Sequence, residues 1–106
     1  MPWAGGDLFT NPAANVVLAD TGALNPHDCD PLLVVWASTG IEVIFEHRDA
    51  NNTVTLKDQI LPCTLSLLVL TLKQIAVARN ERFRVLLRTA LDGAVGGEVE
   101  ASIFHT

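Results

Sequence analysis

The chain has 106 residues, of which 49% are hydrophobic and only 18% charged, with a formal net charge of -5. This length suits one domain with a core of its own. An acidic chain with seven basic residues lacks the field needed to displace counterions from a polyphosphate, so nucleic acid is excluded as a partner. Two cysteines, Cys29 and Cys63, are too few for a secreted disulfide framework. The opening Met1-Pro2-Trp3-Ala4-Gly5-Gly6 lacks the basic and apolar regions of a signal peptide, which predicts synthesis in the cytoplasm with reduced thiols.

Residues 1–14 carry two prolines and two glycines without periodicity, which predicts an extended N-terminal arm ahead of a single domain over 15–106. Trp3, Leu8 and Phe9 are its candidate anchors on a neighbouring molecule, and the arm is expected to be removable, through Thr10, without loss of the fold. Val16-Val17-Leu18 predicts a first strand over 15–19, closed by Asp20-Thr21-Gly22. Asn25 to Pro31 is a polar loop bounded by prolines. Leu32 to Ala37 is a continuous apolar run, as in a central strand covered on both faces, which places Trp36 in the core.

Ile41, Val43 and Phe45 alternate with Glu42 and Glu46, then Arg48-Asp49-Ala50-Asn51-Asn52 supplies a turn, and Val54 and Leu56 alternate with Thr53, Thr55 and Lys57. Two runs of period two around an Asp/Asn turn predict a β-hairpin with one buried face. Leu65 to Leu72 fits a buried strand or, through Leu65, Leu68, Leu72 and Ile75, a helix. Phe83, Val85 and Leu87 alternate with Arg84 and Arg88, and Val99, Ala101 and Ile103 with Glu98, Glu100 and Ser102, which favours strands throughout. The fold class is therefore all-β: a small antiparallel β-sandwich, jelly-roll-like. Ile60 to Ala78 is apolar enough to raise a bilayer span, but Pro62, Lys73 and the strand-like alternation oppose it, so no membrane is expected.

Catalytic and metal constellations are thin. His27-Asp28-Cys29-Asp30 gathers ligand types without the second pair that zinc needs, and Cys63, His47 and His105 are remote in sequence. The acidic residues lack calcium-loop spacing, no serine sits in a glycine-flanked elbow, and Gly93, Gly96 and Gly97 lack the lysine of a phosphate loop. Glu98 and Glu100 share one strand face, as solubilising charges do. We expect no enzyme, no cofactor and no metal. A glycan-binding role is disfavoured by the absence of tyrosine, which leaves Trp3 as the one stacking platform.

The positive signal is apolar surface in excess. Ile44, Leu86 and Phe104 each lie on the side that their strand otherwise gives to polar residues, and Leu32 to Trp36 and Leu67 to Leu70 are apolar on both sides. These positions, rimmed by Glu42, Glu46, Arg84, Arg88 and Glu98, are a candidate oligomer interface.

In the N-terminal arm, the hairpin from Ile41 to Thr53, and Asn80-Glu81-Arg82-Phe83-Arg84-Val85 ahead of a closing strand over 98–104, the chain resembles the small β-sandwich capsid decoration (cement) proteins of tailed bacteriophages. The resemblance spans most of the chain as pattern. It implies a structural role on the virion surface, a homotrimer, and the major capsid protein as partner. The same sandwich appears in phage neck, tail and fibre components, which are one alternative; a small glycan- or receptor-binding β-sandwich module is the other.

Overall fold

A computed structural model describes residues 2–106. Eleven strands lie among them: β1 (Trp3–Gly5), β2 (Phe9–Thr10), β3 (Val17–Asp20), β4 (His27–Cys29), β5 (Leu32–Ala37), β6 (Ile41–Arg48), β7 (Thr55–Cys63), β8 (Leu67–Thr71), β9 (Ile75–Val77), β10 (Arg82–Leu87) and β11 (Glu98–Phe104). The first sheet, A, has the order β1-β11-β5-β8, with β2 also pairing β11. The second, B, has the order β3-β10-β6-β7, and β4 with β9 forms a small third sheet. All pairings are antiparallel. Setting aside β2 and the β4–β9 pair, the eight remaining strands divide four and four, the chain changing sheet at every step but the β6–β7 hairpin, in the manner of a jelly roll, two Greek keys wrapped on one another.

The core is the product of strand alternation. Leu33, Val35 and Ala37 of β5 and Val99, Ala101 and Ile103 of β11 point inward from sheet A; Val43 and Phe45 of β6 and Phe83, Val85 and Leu87 of β10 meet them from sheet B. Phe45 and Phe83 pack with ring centroids 5.4 Å apart. The segment 65–72 forms strand β8, Leu67–Thr71, and no helix, because Leu68 pairs with Val35 and Leu70 with Leu33 in the β5–β8 ladder and their side chains reach the core edge.

Three elements differ from the sequence expectations. Residues 3–5 and 9–10 are extended, but as strands on β11 rather than as a free arm. At Gly5 (φ 95°) a Cβ would collide with the carbonyl of Ala101, so β1 is seated in the sheet by glycine, and removing residues 1–10 would strip the edge of β11. The predicted first strand begins later, at Val17, and the loop over 25–31 contains β4.

The hairpin forms with its turn held by Asp49, whose carboxylate accepts hydrogen bonds from the backbone N–H of Thr53 (2.8 Å) and Val54 (3.2 Å). Its second strand does not bury the expected residues. The register slips between His47 and Arg48, so that Arg48 faces Thr55 while His47 faces Lys57. Leu56 is the extra residue of this bulge. Beyond it Lys57 and Gln59 take the side that Leu61 and Cys63 bury further along the strand, and they, Leu56 and Val54 are all exposed.

Truncating Phe83 to alanine should cost about 3–5 kcal/mol, as for a fully buried aromatic, measured as a lowered urea midpoint. A loss under about 1 kcal/mol, the range of an exposed site, would contradict the packing described.

Candidate functional site

The two sheets finish their outer faces differently. On sheet B, Glu46 sits at the centre with its side chain 12% exposed. Arg84 donates to it from Nε (3.1 Å) and Nη2 (3.0 Å), Arg48 from Nη1 (3.3 Å) and Thr55 from its hydroxyl (2.9 Å). Arg82 pairs with Asp20 and Arg88 with Glu42. The arginines of this face are thus held by Glu46, Asp20 and Glu42, while Glu98 and Glu100 belong to the other sheet. Ile44 and Leu86 lie side by side in the next row of this face. Leu86 is only 9% exposed, since Val17 and Ile44 flank it.

Sheet A is finished with hydrocarbon. Its ladders align Trp3, Phe104, Leu32 and Thr71 in one row, Ser102, Val34 and Val69 in a second, and Glu100, Trp36 and Leu67 in a third. All these side chains point away from the core, because their neighbours Leu33, Val35, Ala101 and Ile103 are fully buried. Trp3, Leu67 and Val69 are 56–58% exposed and Trp36 is 40% exposed. The Trp3 and Phe104 rings stack at 6.1 Å between centroids.

The predicted interface trio is therefore divided: Ile44 and Leu86 lie on the outer face of sheet B, Phe104 on that of sheet A. Of the predicted anchors, Trp3 contributes to the apolar face, Phe9 turns inward against the core, and Leu8 is exposed between β1 and β2. Trp36, expected in the core, is an outward residue. The period-two alternation of β5 was the signal for this, since burying Leu33 and Val35 sends Trp36 to the other side.

The remaining chemistry has structural employment. His27 and Cys29 alternate with exposed Asp28 along β4, and Asp30 accepts the backbone N–H of Gln74 at 2.6 Å. Among the described residues, no group of three or more His, Cys, Asp or Glu is placed to hold a metal ion. His47 lies 2.9 Å from Glu81. Cys29 and Cys63 are buried free thiols, and burial pushes the Cys63 thiol up from its ordinary value. A hollow of about 90 Å³ is lined by Phe45 and His47, by exposed Lys57 and Gln59 beyond the bulge, and by Leu72 and Ile75. A wider one of about 430 Å³ lies by Leu24, Pro26, His27 and His105. No helix is long and apolar enough to cross a membrane among the described residues. Comparison with protein-family models, curated proteins and solved structures yields no match.

Removing Glu46 as Glu46→Ala leaves two guanidinium groups of low exposure facing each other and should cost about 3 kcal/mol; Glu42→Ala, whose partner is half-exposed, should cost under about 1 kcal/mol. Chemical denaturation of the two variants checks the order, and equal losses would refute it. Asp49 provides a pH test. The Thr53 and Val54 N–H groups hold its carboxyl below the ordinary aspartate value. Its contribution is thus complete above that value and is lost as pH falls through the lower, folded one. Asp49→Asn should flatten this acid limb of the stability profile; an unchanged limb would show that the turn does not supply it.

Proposed function

We propose that this chain is a non-enzymatic structural protein of a virion surface, a capsid decoration protein that seats the outer face of sheet A on the joints between capsid subunits. One observation carries the reading: Trp3, Phe104, Leu32, Val34, Trp36, Leu67 and Val69 form one outward apolar face over three rows of sheet A, whereas on sheet B paired charges leave a single apolar row, Val17, Leu86, Ile44 and Ile60. A monomeric domain seldom leaves such a surface to water, and a contiguous apolar patch rimmed by polar groups is the mark of a protein contact. Glu100 and Ser102 interrupt it along β11 and supply the polar component that such interfaces carry. A jelly roll is compatible with this role, and the fold alone does not select it. Homo-oligomerisation multiplies a modest contact through effective concentration, the physical basis of a cement protein. The major capsid protein is the partner on this reading.

Trp36→Glu places a charge in the third row of the face, between Glu100 and Leu67, without touching the core. The wild-type protein should co-sediment with shells assembled from the cognate major capsid protein, and the variant should lose most of that binding at an unchanged melting temperature. Binding indifferent to Trp36→Glu, or absent from the wild type, would overturn the role assigned to this face.

A further inference from the structure

We propose that two copies of this chain join edge to edge through β8, each strand pairing antiparallel with its counterpart so that sheet A runs on through both subunits. This rests on the reading of the chain as a self-assembling structural protein, and names the contact by which it assembles.

An open edge is a template for another strand unless it is blunted, and sheets A and B have four such edges. The β7 edge is blunted by the bulge at Leu56, by Lys57 and Asp58, and by Pro62. The β3 edge is four residues long, ends in Asp20, and carries a register irregularity against β10. The edge opposite β8 in sheet A is broken into β1 and β2, neither longer than three residues. β8 has none of these devices. It is Leu-Leu-Val-Leu-Thr, without a charge, a proline or a bulge in its ladder to β5.

The direction of its free hydrogen bonds follows from its paired ones. Ala37 donates to the carbonyl of Ser66, and Leu72 donates to the carbonyl of Pro31. In an antiparallel ladder such pairs alternate, so Leu68 and Leu70 also turn their backbone groups toward β5. The N–H and C=O of Leu67, Val69 and Thr71 therefore face away, along the open edge.

The occupant is set by the strand itself. A partner must be extended, uncharged and apolar on both sides, because β8 presents Leu67 and Val69 outward and half-buried Leu68 and Leu70 at the rim of the core. A second β8 meets all three conditions. With a two-fold axis at Val69, Val69 faces Val69 of the other copy, and Leu67 faces Thr71, each pair exchanging backbone hydrogen bonds. Leu68 faces Leu70 in the closer, non-hydrogen-bonded position, which closes the core rim of both subunits. The two apolar outer faces become one continuous plate. This contact is isologous and closes as a dimer; the trimer implied by the phage resemblance would need a heterologous one.

Light scattering after size exclusion should give the wild type a mass near twice 11.4 kDa. Val69→Pro removes a free N–H on the open edge while leaving the bonds to β5 and the apolar surface in place, and should return the mass to 11.4 kDa with a β-sheet spectrum. Amide exchange on the wild type needs no variant: Leu67, Val69 and Thr71 should be protected in the oligomer. A wild-type oligomer with these amides open, or one that Val69→Pro leaves intact, overturns edge pairing and leaves self-assembly standing by another contact. A wild-type monomer overturns edge pairing, and shell co-sedimentation, which does not depend on the mass, then decides the capsid reading separately.

Discussion

Everything in this fold hangs on the interlock between two central strand pairs, β11 with β5 in sheet A and β10 with β6 in sheet B. Their inward residues, from Leu33 and Ile103 on one side to Val43 and Phe83 on the other, have essentially no exposure. No single strand here is stable alone, and the short β1, β2 and β3 add little surface of their own. They hold because each lies beside a strand already fixed by the core. Gly5 lets β1 approach β11, and Leu18 and Ala19 of β3 close the same end of the sandwich.

Once that interior is satisfied, the outer faces are free to differ, and they do. Sheet B covers its centre with a carboxylate shared between two guanidinium groups, an arrangement that favours solvent on the far side. A partner placed there would have to desolvate that network, at a cost that new contacts seldom recover. Sheet A has no such barrier. Its outer rows are mostly aromatic and aliphatic, interrupted by Glu100, Ser102 and Thr71, and over the apolar part a partner displaces water that gains nothing by staying. The asymmetry argues for one working face per subunit.

The alternation of Ile41–Phe45, Phe83–Leu87 and Val99–Ile103 made the β class and the inward residues of β6, β10 and β11 legible, because period two is written directly in side-chain polarity. The same reading failed where geometry intervened between sequence and face. The extra residue Leu56 reverses the sides of the second hairpin strand, and no local composition announces a bulge. Trp3 to Gly5 looked like an arm because three residues carry too little periodicity to declare a strand; the ladder to β11 is a non-local fact. Ile44, Leu86 and Phe104 were each correctly seen as apolar on a polar side. Which outer face each occupies depends on the sheet to which its strand is assigned, and that is topology rather than pattern.

An apolar outer face and an undefended edge meet on β8, and their meeting has a consequence for how such a chain must live. The edge alone is tolerable in a monomer, because a short strand gains little from one added neighbour; the face is not, at this size. Together they reinforce one another. A strand added to β8 extends the face, and a larger face gains more from the next contact. Growth of this kind aggregates unless it closes. A two-fold axis closes it, since pairing consumes both open β8 edges and leaves β1 and β2, the broken strands, at the two outer margins. The remaining apolar plate then has no strand-by-strand route to extend. On the capsid-binding proposal, that plate is the part a partner surface covers from above.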